Sequence, residues 1–479
     1  MRSKEGTDMP PDEQAWTAAQ WRLRALSPLD GRYGRQAESY AEIFSENATI
    51  RERLAIEVAW LQHLARIPQL EVPGPLSSAD NAALASWVTN FGNAQAAEVK
   101  QIEARTNHDI KAIEYYLKNR LTGELNWPAT RAEMVHFGAT SEDVSNLAYA
   151  RMIRRAVTEL WLPDARKLVK QVRRTALQHA ELPMLGRTHG QPATPTTLGK
   201  ELAVFAARWD RQAQAVRQVQ IMGKWGGATG TLAAWQVACP ELDWITITRR
   251  FVESHGLSWA PLTTQIEPHD WIAELFDALR RFNNVLLGFC RDMWTYISLG
   301  YLRQAAAPDE VGSSTMPHKI NPIDFENAEA NVGLANALLG HLADKLPVSR
   351  LQRDLSDSSA MRNIGMAFGY CGLALASATR GFSKITPDPA ALAADLEDEW
   401  EVLAEAVQTV MRRWGISEPY EQLKAITRGR RASQDDIRQL VGQLQLPAGP
   451  RQRLLEMTPA TYVGLAAELT RQAPRTPAR

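Results

Sequence analysis

Apolar residues that recur every three or four positions over unusual lengths are the feature that most constrains this chain. From Leu198 they continue at Leu202, Phe205, Trp209, Ala213, Val216 and Val219. A second stretch runs from Trp271 to Ile297, and a third runs from about Tyr149 to Leu160, where Pro163 is expected to kink the helix. Such steps place the apolar residues on one helix face. Since alternating strand patterns are scarce, we predict an all-α fold with a central bundle of long helices.

Breaker-rich segments divide the chain into three predicted helical domains. Residues 121–130 (LTGELNWPAT) precede the central helices, and residues 384–392 (KITPDPAAL) follow them. The predicted N-terminal helical domain, central long-helix domain and C-terminal helical cap span residues 1–129, 130–383 and 384–479. Residues 1–17 and the final RQAPRTPAR are expected to be flexible tails.

Composition excludes several classes of protein. Lys plus Arg (54) equals Asp plus Glu (54), so no overall field attracts nucleic acid or an anionic membrane, and any anion site must be a local cluster. The widely spaced Cys239, Cys290 and Cys371 predict neither a metal ribbon nor a disulfide framework, which fits a reducing compartment. With no signal-peptide pattern and no stretch of ~18 uncharged apolar residues, a cytoplasmic protein is expected.

The segment 311–331, VGSSTMPHKINPIDFENAEAN, is the richest in polar chemistry. It begins with a small, hydroxyl-rich loop, and Asn321-Pro322 followed by Asp324 is typical of a helix start. Backbone N–H groups, the helix dipole and Lys319 would together favour a bound carboxylate. The alternative is a surface loop with an ordinary helix cap.

A second candidate segment is GRTHGQPATP, residues 186–195, just before the long helix that starts at Leu198. His189 lies there in a breaker-rich loop. Its imidazole is a candidate proton donor, because an unperturbed histidine titrates near neutral pH. The alternative is a loop histidine that bonds a backbone carbonyl.

Other polar clusters lie at predicted helix starts and in loops. Residues 106–109 (TNHD) and 140–143 (TSED) each precede a helical stretch, and each alone is interpreted as a capping motif. Arg32 lies in SPLDGRY, while Arg353 and Arg362 flank a serine-rich turn. Arginines beside hydroxyls and loop N–H groups suit bidentate phosphate binding, although a single surface arginine is usually only solvated.

Together these segments resemble the fumarase/aspartase superfamily. GSSTMPHKINP is similar to its signature loop, and its members cleave C–N or C–O bonds and release fumarate. Within this superfamily, six further segments resemble the adenylosuccinate lyase branch. They are SPLDGRY (27–33), TNHD (106–109), HFGATSEDV (136–144), RTHGQPATP (187–195), TTQIEPHD (263–270) and KLPVSRLQRDLSDSS (345–359). The matching segments run from about residue 26 to 465, in the expected order.

The resemblance implies a homotetramer whose central bundle contains helices from all four subunits. Each active site would be assembled from three chains, and the wide apolar helix faces agree with this. The implied reaction is anti elimination of fumarate from adenylosuccinate, giving AMP, and from the succinylcarboxamide ribotide SAICAR, giving AICAR. No metal or organic cofactor is expected, because elimination requires only an acid, a base and charge stabilisation.

The resemblance also implies individual roles. Ser313 would be the base, Ser314 would contact the substrate, and His189 would protonate the departing nitrogen. Lys319 and Asn321 would stabilise a dianionic aci-carboxylate. Implied contacts to the nucleotide and its phosphate are Arg32, Tyr33, Arg353, Ser358 and Arg362. The remaining substrate-binding residues, most of them around the succinyl group, are Asn107, His108, Asp109, Thr140, Ser141 and Gln265.

Two alternatives stay open at this stage. Another lyase of the superfamily, such as argininosuccinate lyase or aspartase, shares the serine loop but should lack the arginine–serine phosphate cluster. A catalytically inactive helical scaffold is the alternative from a different class. Against it stands the presence of Ser313, His189 and Lys319.

Overall fold

A computed structural model describes residues 18–305, 316, 319–427 and 432–473. Helices dominate this part of the chain, which confirms the predicted all-α class. The predicted tail at residues 1–17 lies outside the described residues, as do residues 474–479 of the other predicted tail. The last helix extends to Gln472, so the first two residues of that predicted tail, Arg471 and Gln472, are helical. Among the described residues, no helix is both long and apolar enough to cross a membrane.

The helices and strands are numbered in chain order. The helices are α1 (Ala18–Arg24), α2 (Glu38–Phe44), α3 (Glu46–Leu64), α4 (Ser78–Thr89), α5 (Asn93–Thr106), α6 (Asp109–Glu124), α7 (Ala129–Ala132), α8 (Ser141–Arg155), α9 (Leu162–Gln178), α10 (Leu198–Gln218), α11 (Ala233–Ala238), α12 (Trp244–Ser254), α13 (Asp270–Ser298), α14 (Ile323–Lys345), α15 (Ser356–Met361), α16 (Ile364–Ser383), α17 (Pro389–Glu397), α18 (Ala404–Arg413), α19 (Pro419–Thr427), α20 (Gln434–Gln443), α21 (Ala448–Glu456) and α22 (Ala466–Gln472). The strands are β1 (Pro183–Thr188), β2 (Gln191–Thr197), β3 (Met222–Gly223), β4 (Ser258–Trp259), β5 (Leu302–Gln304) and β6 (Ile385–Pro387). The strands form three two-stranded sheets, of which β3–β4 is parallel and the other two are antiparallel.

The chain forms two compact units, each assembled from three segments. The first unit contains residues 1–163, 216–280 and 331–373, and the second contains residues 164–215, 281–330 and 374–479. The predicted division into domains 1–129, 130–383 and 384–479 follows the order of the chain, and it stays a prediction.

The predicted long helices are confirmed. Helix α10 begins at Leu198 and α13 covers the whole stretch from Trp271 to Ile297. The third stretch is helical as well, but a π-helical turn, Ala156–Trp161, joins α8 to α9. Pro163 has no backbone N–H to donate one turn back, so this irregularity lies where the sequence predicts a kink.

Aromatic side chains fill the cores of both units. In the first unit, Trp60 packs against Trp225 and Phe251, each with ring centroids 4.9 Å apart. In the second unit, Trp209 of α10 contacts Phe282 and Phe289 of α13, with centroids 5.9 and 5.0 Å apart. The apolar stripe on α10 is therefore buried against the apolar stripe on α13, as expected for bundled helices.

Candidate active site

The first unit contains a cavity of about 340 Å³ where α6 and α8 begin. Seven of the predicted substrate-binding residues line it: Asn107, His108, Asp109, Ser141, Arg353, Ser358 and Arg362. They come from three separate parts of the chain, yet they lie in one unit. The folded chain therefore brings together residues whose common role was only implied by resemblance.

The start of α6 forms one wall of the cavity. Asn107 ends α5 in the left-handed conformation, with φ of 50°, and this reverses the chain. His108 then caps α6, since its Nδ1 accepts from the backbone N–H of Lys111 at 3.2 Å. The predicted capping motif is confirmed, with the imidazole as the cap. An accepting Nδ1 leaves the ring proton on Nε2, so the exposed histidine can donate a hydrogen bond.

Asp109 links the α6 start to two arginines. Its Oδ2 accepts from Arg53 at 2.8 Å and from Arg362 at 3.3 Å, while Arg362 also donates to Glu46 at 3.4 Å. Burial alone would raise the pKa of Asp109, but Arg53 and the amide of Ile110 outweigh it and lower the pKa. The carboxylate therefore stays ionised and holds both guanidinium groups beside the cavity.

Arg353 is held from three sides. Its Nη2 donates to Glu142 at 2.8 Å and to the Ser358 hydroxyl at 3.1 Å, and its Nη1 donates to Gln265 at 3.3 Å. Glu142 is 4% exposed, and this burial raises its pKa against the attraction of Arg353. The predicted residues Arg353, Ser358 and Gln265 are thus in direct contact.

The start of α8 lies at the same cavity. Ser141 is the first residue of the helix, and Asp143 reaches back to accept from the Thr140 N–H at 2.8 Å. The predicted capping motif at residues 140–143 is confirmed. Two helix N-termini, those of α6 and α8, therefore flank the cavity together with Arg353 and Arg362. Helix N-termini and guanidinium groups are features that bind anionic groups, and in this cavity the arginines also pair with Asp109 and Glu142.

Sequence reasoning missed Arg53 and Glu142, which also line the cavity. Arg53 is 5% exposed on α3, whose buried residues also include Glu52 and Glu57, and a charge at a buried helix position could have signalled a buried partner. Glu142 was counted only as part of a capping motif. No sequence pattern distinguishes a capping glutamate from one that binds a distant arginine.

Arg32 and Tyr33 are not among the residues that line this cavity. Arg32 is exposed and Tyr33 is half-buried, in the turns before α2. Their neighbours Asp30 and Gly34 line a second cavity of about 480 Å³, which Arg362 also borders. The nucleotide-binding role of Arg32 and Tyr33 stays a prediction.

His189 belongs to the second unit, where the breaker-rich loop expected from the sequence is the turn of a tight β-hairpin. Strands β1 and β2 pair up to Thr188 and Gln191, so His189 and Gly190 form a two-residue turn. Their φ angles are 54° and 74°, the left-handed values that such turns require. The imidazole is exposed. Beside it on β1, Arg187 binds Asp395 at 2.7 Å and so fastens the hairpin to α17.

The start of α14 is the other part of the second unit that was predicted to contact substrate. The helix begins at Ile323, directly after Asn321-Pro322, which confirms the predicted start. Lys319 is exposed and Asn321 is half-buried. Asp324 ties α14 to α16, because its carboxylate binds Arg380 at 2.7 Å and Lys384 at 2.9 Å.

The predicted base Ser313 and its neighbour Ser314 lie outside the described residues, as does His318. Their roles stay predictions. Among the residues that the structure does describe, no three His, Cys, Asp or Glu side chains are arranged to hold a metal ion.

Comparison with known families gives two matches along the chain. Residues 31–336 match the family described as Lyase, and residues 349–463 match the one described as Adenylosuccinate lyase C-terminal.

Individual proteins resemble the chain over nearly its full length. Adenylosuccinate lyase of Haemophilus influenzae is 48% identical over 447 residues, which cover 93% of this chain and 98% of that protein. Adenylosuccinate lyase of Vibrio cholerae is 48% identical over 450 residues, covering 94% and 98%.

Solved structures share the fold. A fumarate lyase from Mesorhizobium has a TM-score of 0.73 at 19% identity, covering 91% of this chain and 97% of its own. The 3-carboxy-cis,cis-muconate lactonizing enzyme from Pseudomonas putida has a TM-score of 0.72 at 25% identity, covering 91% and 96%.

Proposed function

Because the chain belongs to the adenylosuccinate lyase family, we propose that it eliminates fumarate from adenylosuccinate and from SAICAR. The products would be AMP and AICAR, in purine nucleotide biosynthesis. The elimination is anti: the proton and the nitrogen leave from opposite faces of the succinyl group.

The observation that carries this proposal is the cavity in the first unit. A succinylated purine nucleotide presents a phosphate and two carboxylates, so its site needs several cations and hydrogen-bond donors. Arg353, Arg362, Ser141 and Ser358 supply such groups at two helix N-termini. This is the arginine–serine cluster that argininosuccinate lyase and aspartase are expected to lack.

The residues that line the cavity are suited to binding the substrate rather than to transferring a proton. Arg353 and Arg362 each contact at least one carboxylate that holds the guanidinium in place, and His108 is fixed by its bond to the α6 backbone. Groups whose rotamers are locked in this way bind an anion without a further ordering cost. The residues proposed to surround the succinyl group and its neighbours are His108, Asp109, Thr140, Ser141 and Gln265, and Asn107 is proposed to bind substrate as well.

His189 is proposed as the general acid. It would give a proton to the departing nitrogen, and its exposed position on a tight turn leaves the ring accessible to a ligand. Ser313 is proposed as the base. The proton that Ser313 would remove lies on the carbon next to a carboxylate and is weakly acidic. The dianionic aci-carboxylate must therefore be stabilised as it forms. Lys319 and Asn321 are proposed for that electrostatic role, with Ser314 contacting the substrate.

We further propose a homotetramer in which three chains complete each active site. The family relationship and the wide apolar faces of the long helices support this proposal. A cytoplasmic location is proposed as well, because the three cysteines are widely spaced in the sequence and show no CxxC pattern, which fits a reducing compartment.

The experiment that tests the function is a substrate comparison. Purified protein is offered adenylosuccinate, SAICAR, argininosuccinate and aspartate in turn, and released fumarate is measured. We expect fumarate from the first two alone. Release from argininosuccinate or aspartate, and none from the succinylated purines, would overturn the proposal.

A further inference from the structure

A buried carboxylate behind the cavity collects hydrogen bonds from two separate chain segments. Asp143, in the first turn of α8, accepts from Gly226 N at 2.7 Å and Lys224 Nζ at 2.8 Å through Oδ1. Through Oδ2 it accepts from Thr140 N at 2.8 Å and Gly227 N at 3.0 Å. Asp143 and Lys224 are both 0% exposed.

A neighbouring residue reinforces the same connection. Asn146 lies one turn further along α8 and makes two bonds to the backbone of Lys224. Its Oδ1 accepts from the Lys224 N–H at 2.8 Å, and its Nδ2 donates to the Lys224 carbonyl at 3.0 Å. Residues 224–227 are therefore bound to the start of α8 by the side chains of Asp143, Asn146 and Lys224.

A gain in stability does not by itself explain why Asp143 and Lys224 are buried as an ion pair. Removing both an ammonium and a carboxylate from water costs several kcal/mol per ion, and well-packed apolar replacements are often equally stable. What the pair provides is geometry, because a carboxylate with four aligned donors has one orientation. The question is which groups depend on that geometry.

Both segments lead to Arg353. The start of α8 carries Ser141, which lines the cavity, and Glu142, which binds Arg353 at 2.8 Å. Residues 224–227 continue to Ala228, whose carbonyl accepts from Gln265 at 3.1 Å. Gln265 in turn accepts from Arg353 at 3.3 Å. Two of the groups that hold the guanidinium thus rest on segments joined by Asp143.

We propose that Asp143 and Lys224 are positioning residues for the substrate site, which hold Glu142 and Gln265 in register so that Arg353 is fixed in the cavity. The identity of the bound anion rests on the proposed function. Neither residue lines the cavity, so both act through the groups that they position.

The test is the kinetic behaviour of Asp143→Asn and Lys224→Met. The new amide nitrogen of Asp143→Asn would face N–H donors and displace one of the two segments. We expect KM for adenylosuccinate to rise about tenfold or more while kcat changes less than about threefold, since binding groups are misplaced and the reacting groups are not. Lys224→Met should act in the same direction, with a smaller rise in KM.

Asp80→Asn is the matched control. Asp80 also occupies the third position of a capped helix, is 9% exposed, and accepts from Ser77 N at 2.9 Å and Trp127 Nε1 at 2.8 Å. It does not line the cavity. Its loss should lower the melting temperature and leave KM and kcat unchanged.

Two kinetic outcomes would overturn the positioning role. One is an Asp143→Asn variant that melts earlier but keeps its KM. The other, which applies if that variant does not fold, is an unchanged KM in Lys224→Met.

Calorimetric titration with AMP distinguishes failure of the proposed function from failure of the positioning role, because it measures binding and needs no turnover. Loss of the proposed function would appear as wild-type protein that releases no fumarate. Loss of the positioning role would appear as equal AMP affinity in wild type and variants.

Discussion

The two units of this chain present their polar residues in contrasting ways. In the first unit, Arg353 and Asp109 are held by several hydrogen bonds around one cavity. In the second unit, His189 and Lys319 are exposed, at a hairpin turn and before a helix start. Binding an anion needs fixed cations, whereas proton transfer needs a titratable group that can reach the reacting atom. The proposed binding residues of the cavity thus belong to the first unit, and the proposed proton donor His189 belongs to the second.

The largest effect should come from the second unit. His189→Ala and Ser313→Ala should each lower kcat by about 10² to 10⁴-fold, the usual contribution of a positioned acid or base. KM should change much less, and the proposed homotetramer should remain intact. Steady-state kinetics and analytical ultracentrifugation check these points. Full activity in either variant would refute the role assigned to that residue.

Mixing the two inactive variants sharpens the comparison further. If each site takes its groups from several chains, some mixed tetramers contain a site with both His189 and Ser313 intact. Part of the activity should therefore return after subunit exchange. Exchange is verified with differently tagged protomers. Verified exchange without any recovery would show that the sites are not shared.

The next largest effect should come from the first unit. Arg353→Met removes a guanidinium that contacts Glu142, Gln265 and Ser358, and leaves Glu142 buried without that charge. We expect KM to rise by about 10²-fold, in line with the ~1.5–3 kcal/mol of a charge-assisted hydrogen bond. Arg350→Met is the control, since the Arg350 side chain is 82% exposed and its guanidinium pairs with the nearby Asp354. Equal KM values in the two variants would contradict the binding role of Arg353.

The smallest expected effect is a pH dependence of stability in the first unit. Burial alone would lower the pKa of His269, but Asp357 and Glu267 raise it from 6.5 to about 9. A raised pKa means that the charged imidazole stabilises the fold fully below pH 6.5, and that this contribution is lost as the pH rises through about 9.

We therefore expect the free energy of unfolding of the wild-type protein to exceed that of the His269→Gln variant by about 1 to 3 kcal/mol at pH 6. This difference should shrink towards pH 10. Denaturant titrations across this range measure it. A difference that does not vary with pH would show that His269 contributes by packing alone.

The long helices and three of the helix starts followed from the sequence by itself. The stripes that became α10 and α13 were recognisable because a helix repeats every 3.6 residues, whatever packs against it. The helix starts at residues 106–109, 140–143 and 321–324 were recognisable because a free N–H at a helix end needs a local partner. Periodicity and capping depend on neighbours within a few positions, so a single sequence contains them in full.

Tertiary structure alone decided how the polar residues are paired. Glu142 binds Arg353 across 211 positions, Arg53 binds Asp109 across 56, and Asp143 receives the amide of Gly226 across 83. Each of these side chains is compatible with a solvated surface or a simple cap until distant helices pack. Burial then removes water and makes an unpaired charge costly, so the packed fold selects the partners. The cavity and its supporting carboxylate exist only at that level.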